Sequence, residues 1–145
     1  MNFKLPLIAV MVGALSLSAC GGGGSSNTTP PDNPASLVIN DVKVGTGATA
    51  TQGTSATITY KTYLYKIGAT DSKGTLIDPG TDPLTFTVGA GKLITGVETG
   101  IVGMKVGGQR TLFIPSSMAY GSSTNISNVP ANSGLVFDMT LTAVK

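Results

Sequence analysis

The stretch from Gly89 to Gly121 constrains the fold of this chain more than any other part of the sequence. It contains an apolar stripe with the three- and four-residue spacing of a helix, formed by Leu93, Ile94, Val97 and Ile101. Glycines within and after the stripe weaken a helix, so we expect a short one. A strand pattern follows from Thr111 to Ile114, where Pro115 stops it. One short helix must therefore bury its apolar face against strands.

Strand patterns also occur in four other parts of the chain. The clearest runs from Thr54 to Tyr65, where β-branched and aromatic residues dominate and alternate residues form an apolar face. Weaker patterns run from Ser36 to Val44 and from Leu84 to Val88. The last strand must bury the face formed by Leu135, Phe137, Met139 and Leu141. One helix packed on a twisted antiparallel sheet is an α+β arrangement, which is the fold class we predict.

The composition excludes several kinds of site. The chain has no histidine and a single cysteine, Cys20, which excludes a Ser-His-Asp or Cys-His nucleophile, a histidine zinc site and an internal disulfide. Its seven acidic residues lack the spacing of a calcium loop. Nine basic residues without a cluster argue against nucleic acid as a partner. We therefore predict a protein without a metal or cofactor and without a nucleic-acid partner.

The first twenty residues indicate export to a membrane. Lys4 precedes an apolar run from Leu5 to Leu17, which is too short to span a bilayer but is typical of a signal peptide. The run ends at Leu17-Ser18-Ala19-Cys20, which resembles the lipobox of bacterial lipoproteins. We predict that residues 1–20 are a lipoprotein signal peptide and that Cys20 is lipidated. The alternative is an ordinary signal peptide with an incidental cysteine.

The remaining residues divide into a linker and a domain. Residues 21–35 are rich in Gly, Ser and Pro and poor in apolar side chains, which predicts a flexible tether. Residues 36–145 are long enough for one domain with its own core. Gly21 follows the cysteine, and in resembling lipoproteins this favours the outer membrane. We therefore expect the domain to be anchored in the bacterial cell envelope, facing the periplasm.

Three segments carry a resemblance to a known family. The stretch from Gly89 to Gly121 resembles the core of the FKBP-type peptidyl-prolyl cis-trans isomerases. Leu135-Val136-Phe137-Asp138 matches the last strand of that family, and Ile58-Thr59-Tyr60 matches an early one. The resemblance implies an FKBP-like twisted antiparallel sheet wrapped around one short helix. It also implies isomerisation of X-Pro bonds during the folding of exported envelope proteins, with proline-containing polypeptides as substrates.

The resemblance further implies a pocket for the proline ring. Rotation about an X-Pro bond passes through a twisted state that has lost amide resonance, and an apolar pocket that removes water favours this state. The residues implied to act on the substrate are Tyr60, Asp78, Ile94 and Tyr120. Among them, the Ile94 backbone N–H and the Tyr120 hydroxyl would donate to substrate carbonyls. The residues implied to form the apolar walls are Ile77, Leu84, Phe86, Leu93, Val97, Val129 and Phe137.

Two residues are candidates for the pocket aspartate that the resemblance implies. Asp71-Ser72 imitates the Asp-Ser of the family, and Ile77-Asp78 imitates its Phe-Asp pair. We favour Asp78, because Lys73-Gly74 before it resembles a longer loop of bacterial members.

Several pocket positions depart from the family pattern. Val97 stands where the family usually has a tryptophan, and Ile77 and Leu84 stand where it has phenylalanines. An aliphatic pocket of this kind should bind proline more weakly. Two functions follow: a peptidyl-prolyl isomerase of low activity, or a non-catalytic FKBP-like binding or chaperone module.

Overall fold

The computed structural model describes residues 31–145, and the predicted signal peptide, Cys20 and residues 21–30 of the predicted tether lie outside them. The strands are β1 (Val38–Lys43), β2 (Ser55–Tyr65), β3 (Lys73–Asp78), β4 (Leu84–Thr87), β5 (Gln109–Ile114) and β6 (Leu135–Val144). The helix is α1 (Thr95–Ile101), and short 3-10 turns cover Thr70–Ser72 and Ser116–Met118. Among these residues, no helix has both the length and the apolar character needed to cross a membrane.

The strands form one antiparallel sheet in the order β1-β5-β6-β2-β3. The longest pairing joins β2 to β6, from Ala56 opposite Val144 to Leu64 opposite Leu135. The other edge of β2 is shared, because β4 pairs with its first part and β3 with its last part. Within residues 31–145, six antiparallel strands with one short α-helix confirm the predicted α+β fold.

The core lies where α1 packs on β5. The predicted inner face of β6 is confirmed as buried, since Leu135, Met139 and Leu141 are at most 2% exposed and Phe137 is 8% exposed. Arg110 on β5 ties three elements together, because it donates to the Gly100 carbonyl of α1 at 2.7 Å and pairs with Asp41 of β1 at 2.6 Å.

Two local predictions were wrong. Lys73-Gly74, expected in a loop, begins β3. The sequence of this segment has no strand pattern. It forms a strand because it pairs with the C-terminal end of β2. Leu93 and Ile94, expected in the helical stripe, precede α1, and Ile94 has an extended ψ of 144° at the N-cap. The Glu98 carboxylate accepts the backbone N–H groups of Gly91 and Leu93, which holds these residues in a loop.

The described end of the predicted tether lies against the domain. Pro34 is buried, and the Gly134 N–H donates to the Asp32 carbonyl at 3.0 Å. The first strand, predicted from Ser36 to Val44, is confined to β1 and is exposed along its whole length because it forms an edge of the sheet.

The packing of α1 on β5 predicts the effect of a methyl group at Gly96. A Cβ atom there would overlap the Ile114 side chain, which is fully buried and β-branched. Overpacking a core lowers the free energy of unfolding by about 1–3 kcal/mol. The higher helix propensity of alanine offsets at most about 1 kcal/mol of this loss. We expect Gly96→Ala to lower the free energy of unfolding in urea by about 1–2 kcal/mol.

The matched control is Thr99→Ala at an exposed position of the same helix, which should change stability by less than about 0.5 kcal/mol. An increase in stability of Gly96→Ala would contradict the close packing of α1 on β5.

Candidate functional site

A cleft of about 440 Å³ opens beside the β2–β6 pair. This volume lies within the usual range of small-ligand sites, about 300–1,000 Å³. Strands β2, β3, β4 and β6, the loop before α1 and the loop after the Ser116–Met118 turn all contribute to its lining. The lining residues are Tyr60, Thr62, Ile77, Asp78, Leu84, Lys92, Leu93, Ile94, Tyr120, Ile126, Ser127, Asn128, Val129 and Phe137.

Two stacked aromatic rings form one wall of the cleft. The rings of Tyr60 and Phe137 are nearly parallel, at 9°, with their centroids 5.1 Å apart. Phe137 pairs across the strands with Thr62, two residues from Tyr60, so the β2–β6 register brings the two rings together. Aromatic pairs at this separation attract each other beyond their buried area. The rings therefore give the cleft a rigid apolar wall.

Asp78 holds the rim of the cleft through both of its carboxylate oxygens. It accepts the Tyr60 hydroxyl at 2.9 Å and the Gly80 N–H at 2.8 Å. A Cβ atom at Gly80 would overlap the Tyr60 carbonyl, and its φ of 56° also favours glycine, so the turn can close against β2. Asp71, the alternative aspartate, lies in the 3-10 turn before β3 and does not line the cleft.

Both cleft tyrosines are hydrogen-bond donors at neutral pH. Burial, followed by the bond to Asp78, raises the pKa of the Tyr60 phenol above 10.0. Burial, followed by the negative charge of Asp78, raises the pKa of the Tyr120 phenol above 10.0. The Tyr60 hydroxyl already donates a hydrogen bond to Asp78. The Tyr120 hydroxyl donates to no other group of residues 31–145. Tyr120 can therefore donate to a bound carbonyl.

A second donor comes from the loop before α1. Ile94 lines the cleft, and within the described part of the chain its backbone N–H makes no hydrogen bond. Glu98 fixes this loop, because its two carboxylate oxygens accept the N–H groups of Leu93 and Gly91, each at 3.0 Å. These bonds, that of Leu93 first, hold the pKa of Glu98 below its ordinary value.

The structure brings together most of the residues that the sequence assigned to the site. Phe86 and Val97 are the exceptions. They are 6% and 1% exposed and belong to the buried core, not to the cleft lining. Phe86 faces the core from β4, and Val97 lies on the buried side of α1.

The sequence did not assign five lining residues to the site: Thr62, Lys92, Ile126, Ser127 and Asn128. Thr62 could have been found, because it shares the face of Tyr60 at the two-residue period of a strand. The segment from Ile126 to Asn128 has no periodic pattern, so only the fold shows that it closes the cleft.

Comparisons with known proteins point to one family. The family model described as FKBP-type peptidyl-prolyl cis-trans isomerase matches residues 47–142. An FK506-binding protein of Neisseria meningitidis serogroup A is 38% identical over 112 residues, which cover 75% of this chain and 96% of that protein. FK506-binding protein 4 of Chaetomium thermophilum is 40% identical over 111 residues, and this chain spans only 21% of its length.

Comparison with solved structures also finds proteins of similar fold. AtFKBP13 has a TM-score of 0.63 and 30% identity, over 78% of this chain and 96% of its own. FkpA from Escherichia coli has a TM-score of 0.60 and 28% identity, over 82% of this chain and 53% of its own.

The lowered pKa of Glu98 predicts an acid-sensitive contribution to stability. A carboxylate whose pKa is lower in the folded state stabilises the fold fully above its unfolded pKa, near 4.5. That contribution is lost as the pH falls from about 4.5 through the lowered folded pKa. We expect Glu98→Gln to remove this part of the pH dependence of the free energy of unfolding, measured by urea titration.

The control is again Thr99→Ala, which should keep the acid dependence of the wild-type protein. An unchanged slope below pH 4.5 in Glu98→Gln would contradict the role given to these backbone hydrogen bonds.

Proposed function

Since this chain belongs to the FKBP-type peptidyl-prolyl cis-trans isomerase family, we propose that it catalyses cis-trans isomerisation of X-Pro bonds in polypeptides. One observation carries the proposal: an apolar cleft walled by the Tyr60–Phe137 stack is bordered by two hydrogen-bond donors at the positions that the family resemblance implies, and neither has an acceptor among residues 31–145. These donors are the Tyr120 hydroxyl and the Ile94 N–H. The reaction needs no more than these features.

The barrier to rotation about a peptide bond is about 18–20 kcal/mol and arises from amide resonance. In the proposed mechanism the proline ring enters the cleft and contacts Tyr60 and Phe137. Removal of water favours the twisted amide, which is less polar than the planar one. The Ile94 N–H and the Tyr120 hydroxyl hold carbonyls on either side of the rotating bond. Each tenfold acceleration requires about 1.36 kcal/mol of such differential stabilisation.

The Tyr60–Asp78 pair has a supporting part in this mechanism. Because Asp78 accepts both the Tyr60 hydroxyl and the Gly80 N–H, it holds the aromatic wall and the adjacent turn in place. It does not need to accept a proton from the substrate, since no proton is transferred in the reaction.

The second candidate function is a non-catalytic binding module. It is favoured by the aliphatic residues Ile77 and Leu84 in the cleft, and by Val97, which is buried in the core and adds no aromatic surface to the lining. Such a cleft could hold a proline-containing segment without lowering the rotational barrier. The two functions differ in one measurable property, the rate of isomerisation.

The activity test compares the wild-type chain with Tyr120→Phe on a short Leu-Pro peptide. We expect the wild-type protein to accelerate isomerisation. Loss of one hydrogen bond to the substrate should lower kcat/KM of Tyr120→Phe by about three- to tenfold. Tyr65→Phe is the matched control, because Tyr65 lies outside the cleft lining. A folded wild-type protein that binds the peptide without acceleration would support the binding module instead.

We also propose that the domain acts in the bacterial cell envelope, anchored through lipidated Cys20, and assists the folding of exported proteins. The sequence Leu17-Ser18-Ala19-Cys20 supports this proposal, because it resembles a lipobox. More than one acyl chain is needed for stable anchoring.

The anchor is tested by growing a bacterial host that expresses the full chain with an alkyne-labelled fatty acid. We expect the label on the wild-type protein and its loss in Cys20→Ser, whereas Ser18→Ala should keep it. An unlabelled wild-type protein released into the periplasm would contradict the anchor.

A further inference from the structure

A residue that precedes the matched family region reaches the loop that carries Tyr120. The side chain of Asn33 makes two hydrogen bonds to Ser116, which lies 83 positions later in the chain. Its Oδ1 accepts the Ser116 N–H at 2.8 Å, and its Nδ2 donates to the Ser116 Oγ at 3.1 Å. Ser116 is 8% exposed, so this contact fixes a nearly buried residue.

Ser116 in turn fixes the backbone on both sides of Tyr120. Its carbonyl accepts the N–H groups of Ala119 at 3.0 Å and of Gly121 at 2.8 Å, the residues on either side of Tyr120. Gly121 is fixed a second time, because its carbonyl accepts the Asn132 N–H at 2.7 Å. Every polar group of Ser116 is thus used, with the N–H and hydroxyl bound to Asn33 and the carbonyl bound to the Tyr120 loop.

Asn33 is held in place by its own neighbours in sequence. The Asp32 carbonyl accepts the Gly134 N–H at 3.0 Å. Pro34 is buried against Gly134, where a Cβ atom would overlap the proline ring. The fixed φ of proline limits the conformations of this segment before it docks. The segment therefore presents the Asn33 amide to Ser116 at a small entropic cost.

We propose that Asn33 is a positioning residue for the isomerase site, acting through Ser116 on the loop that places the Tyr120 hydroxyl. The inference rests on the proposed function, in which that hydroxyl donates to a substrate carbonyl. A donor stabilises a transition state fully only when it is held in place beforehand. The two Asn33 bonds supply this restraint from outside the region that matches the family model.

A double-mutant cycle with Tyr120 tests the positioning role. In the full chain, Asn33→Ala should lower kcat/KM by about three- to tenfold, the range expected for one misplaced hydrogen bond. In a Tyr120→Phe background the same substitution should have little further effect, because the group it positions is gone. An equal loss in both backgrounds, or no loss in either, would overturn the inference.

Two further variants separate positioning from general loss of stability. Asn33→Asp keeps an acceptor for the Ser116 N–H and can accept the Ser116 hydroxyl, so it should retain most of the activity. Asp32→Ala removes only the side-chain bond to the Ile67 N–H, which is 3.0 Å long and lies outside the cleft lining. It keeps the Asp32 carbonyl bond to Gly134 and the packing of Pro34 that hold Asn33, so it should keep wild-type kcat/KM. A loss in Asp32→Ala as large as that in Asn33→Ala would mean that docking of the segment matters and that Asn33 has no specific part.

Hydrogen exchange gives a result that does not depend on activity. In Asn33→Ala the amides of Ala119 and Gly121 should exchange faster relative to the core amide of Leu112, whereas Asp32→Ala should leave this ratio unchanged. If the wild-type protein shows no isomerase activity, the proposed function fails and this ratio alone decides whether Asn33 fixes the Tyr120 loop. An unchanged ratio in Asn33→Ala would overturn the inference.

Discussion

The antiparallel pairing of β2 with β6 is the constraint on which the rest of the structure depends. It runs from Ala56 opposite Val144 to Leu64 opposite Leu135, and every other strand except β1 pairs directly with one of these two. The same register stacks Tyr60 on Phe137 and so builds the aromatic wall of the cleft. Residues far apart in sequence meet here, so the cleft exists only when the whole sheet has formed.

Single side chains hold three backbone segments at the cleft. The Glu98 carboxylate of α1 binds the loop of Leu93 and Ile94, and the Asp78 carboxylate binds the turn at Gly80. The Asn33 side chain binds Ser116, which begins the turn before Tyr120. In each case the side chain accepts a hydrogen bond from a backbone N–H group. Those bonds leave the Ile94 N–H and the Tyr120 hydroxyl available as donors in the cleft. A reaction without proton transfer requires this kind of fixed geometry more than it requires reactive groups.

The sequence predicted what depends on periodicity and on motif. The alternation in β2 and β6 predicted the buried face of the sheet, and the motif around Tyr120 and Asp78 identified residues that the structure brings to one cleft. It did not predict β3, because a short edge strand held by a neighbour has no pattern of its own. It also did not predict the docking of Asn33, because a Pro-rich segment gives no sign of which distant backbone groups it will meet. Val97 was assigned to the cleft by motif, and the small side chain instead lies in the core.

We propose that this cleft both binds an X-Pro segment and lowers its rotational barrier. The most direct test is exchange spectroscopy of a Leu-Pro peptide with the isotope-labelled protein, which records the cis-trans rate and the perturbed protein amides in one sample. We expect faster exchange of the peptide, with shifts concentrated at cleft residues such as Leu93, Ile94 and Phe137. An exchange rate equal to that of the free peptide, at concentrations where those residues are saturated, would contradict it.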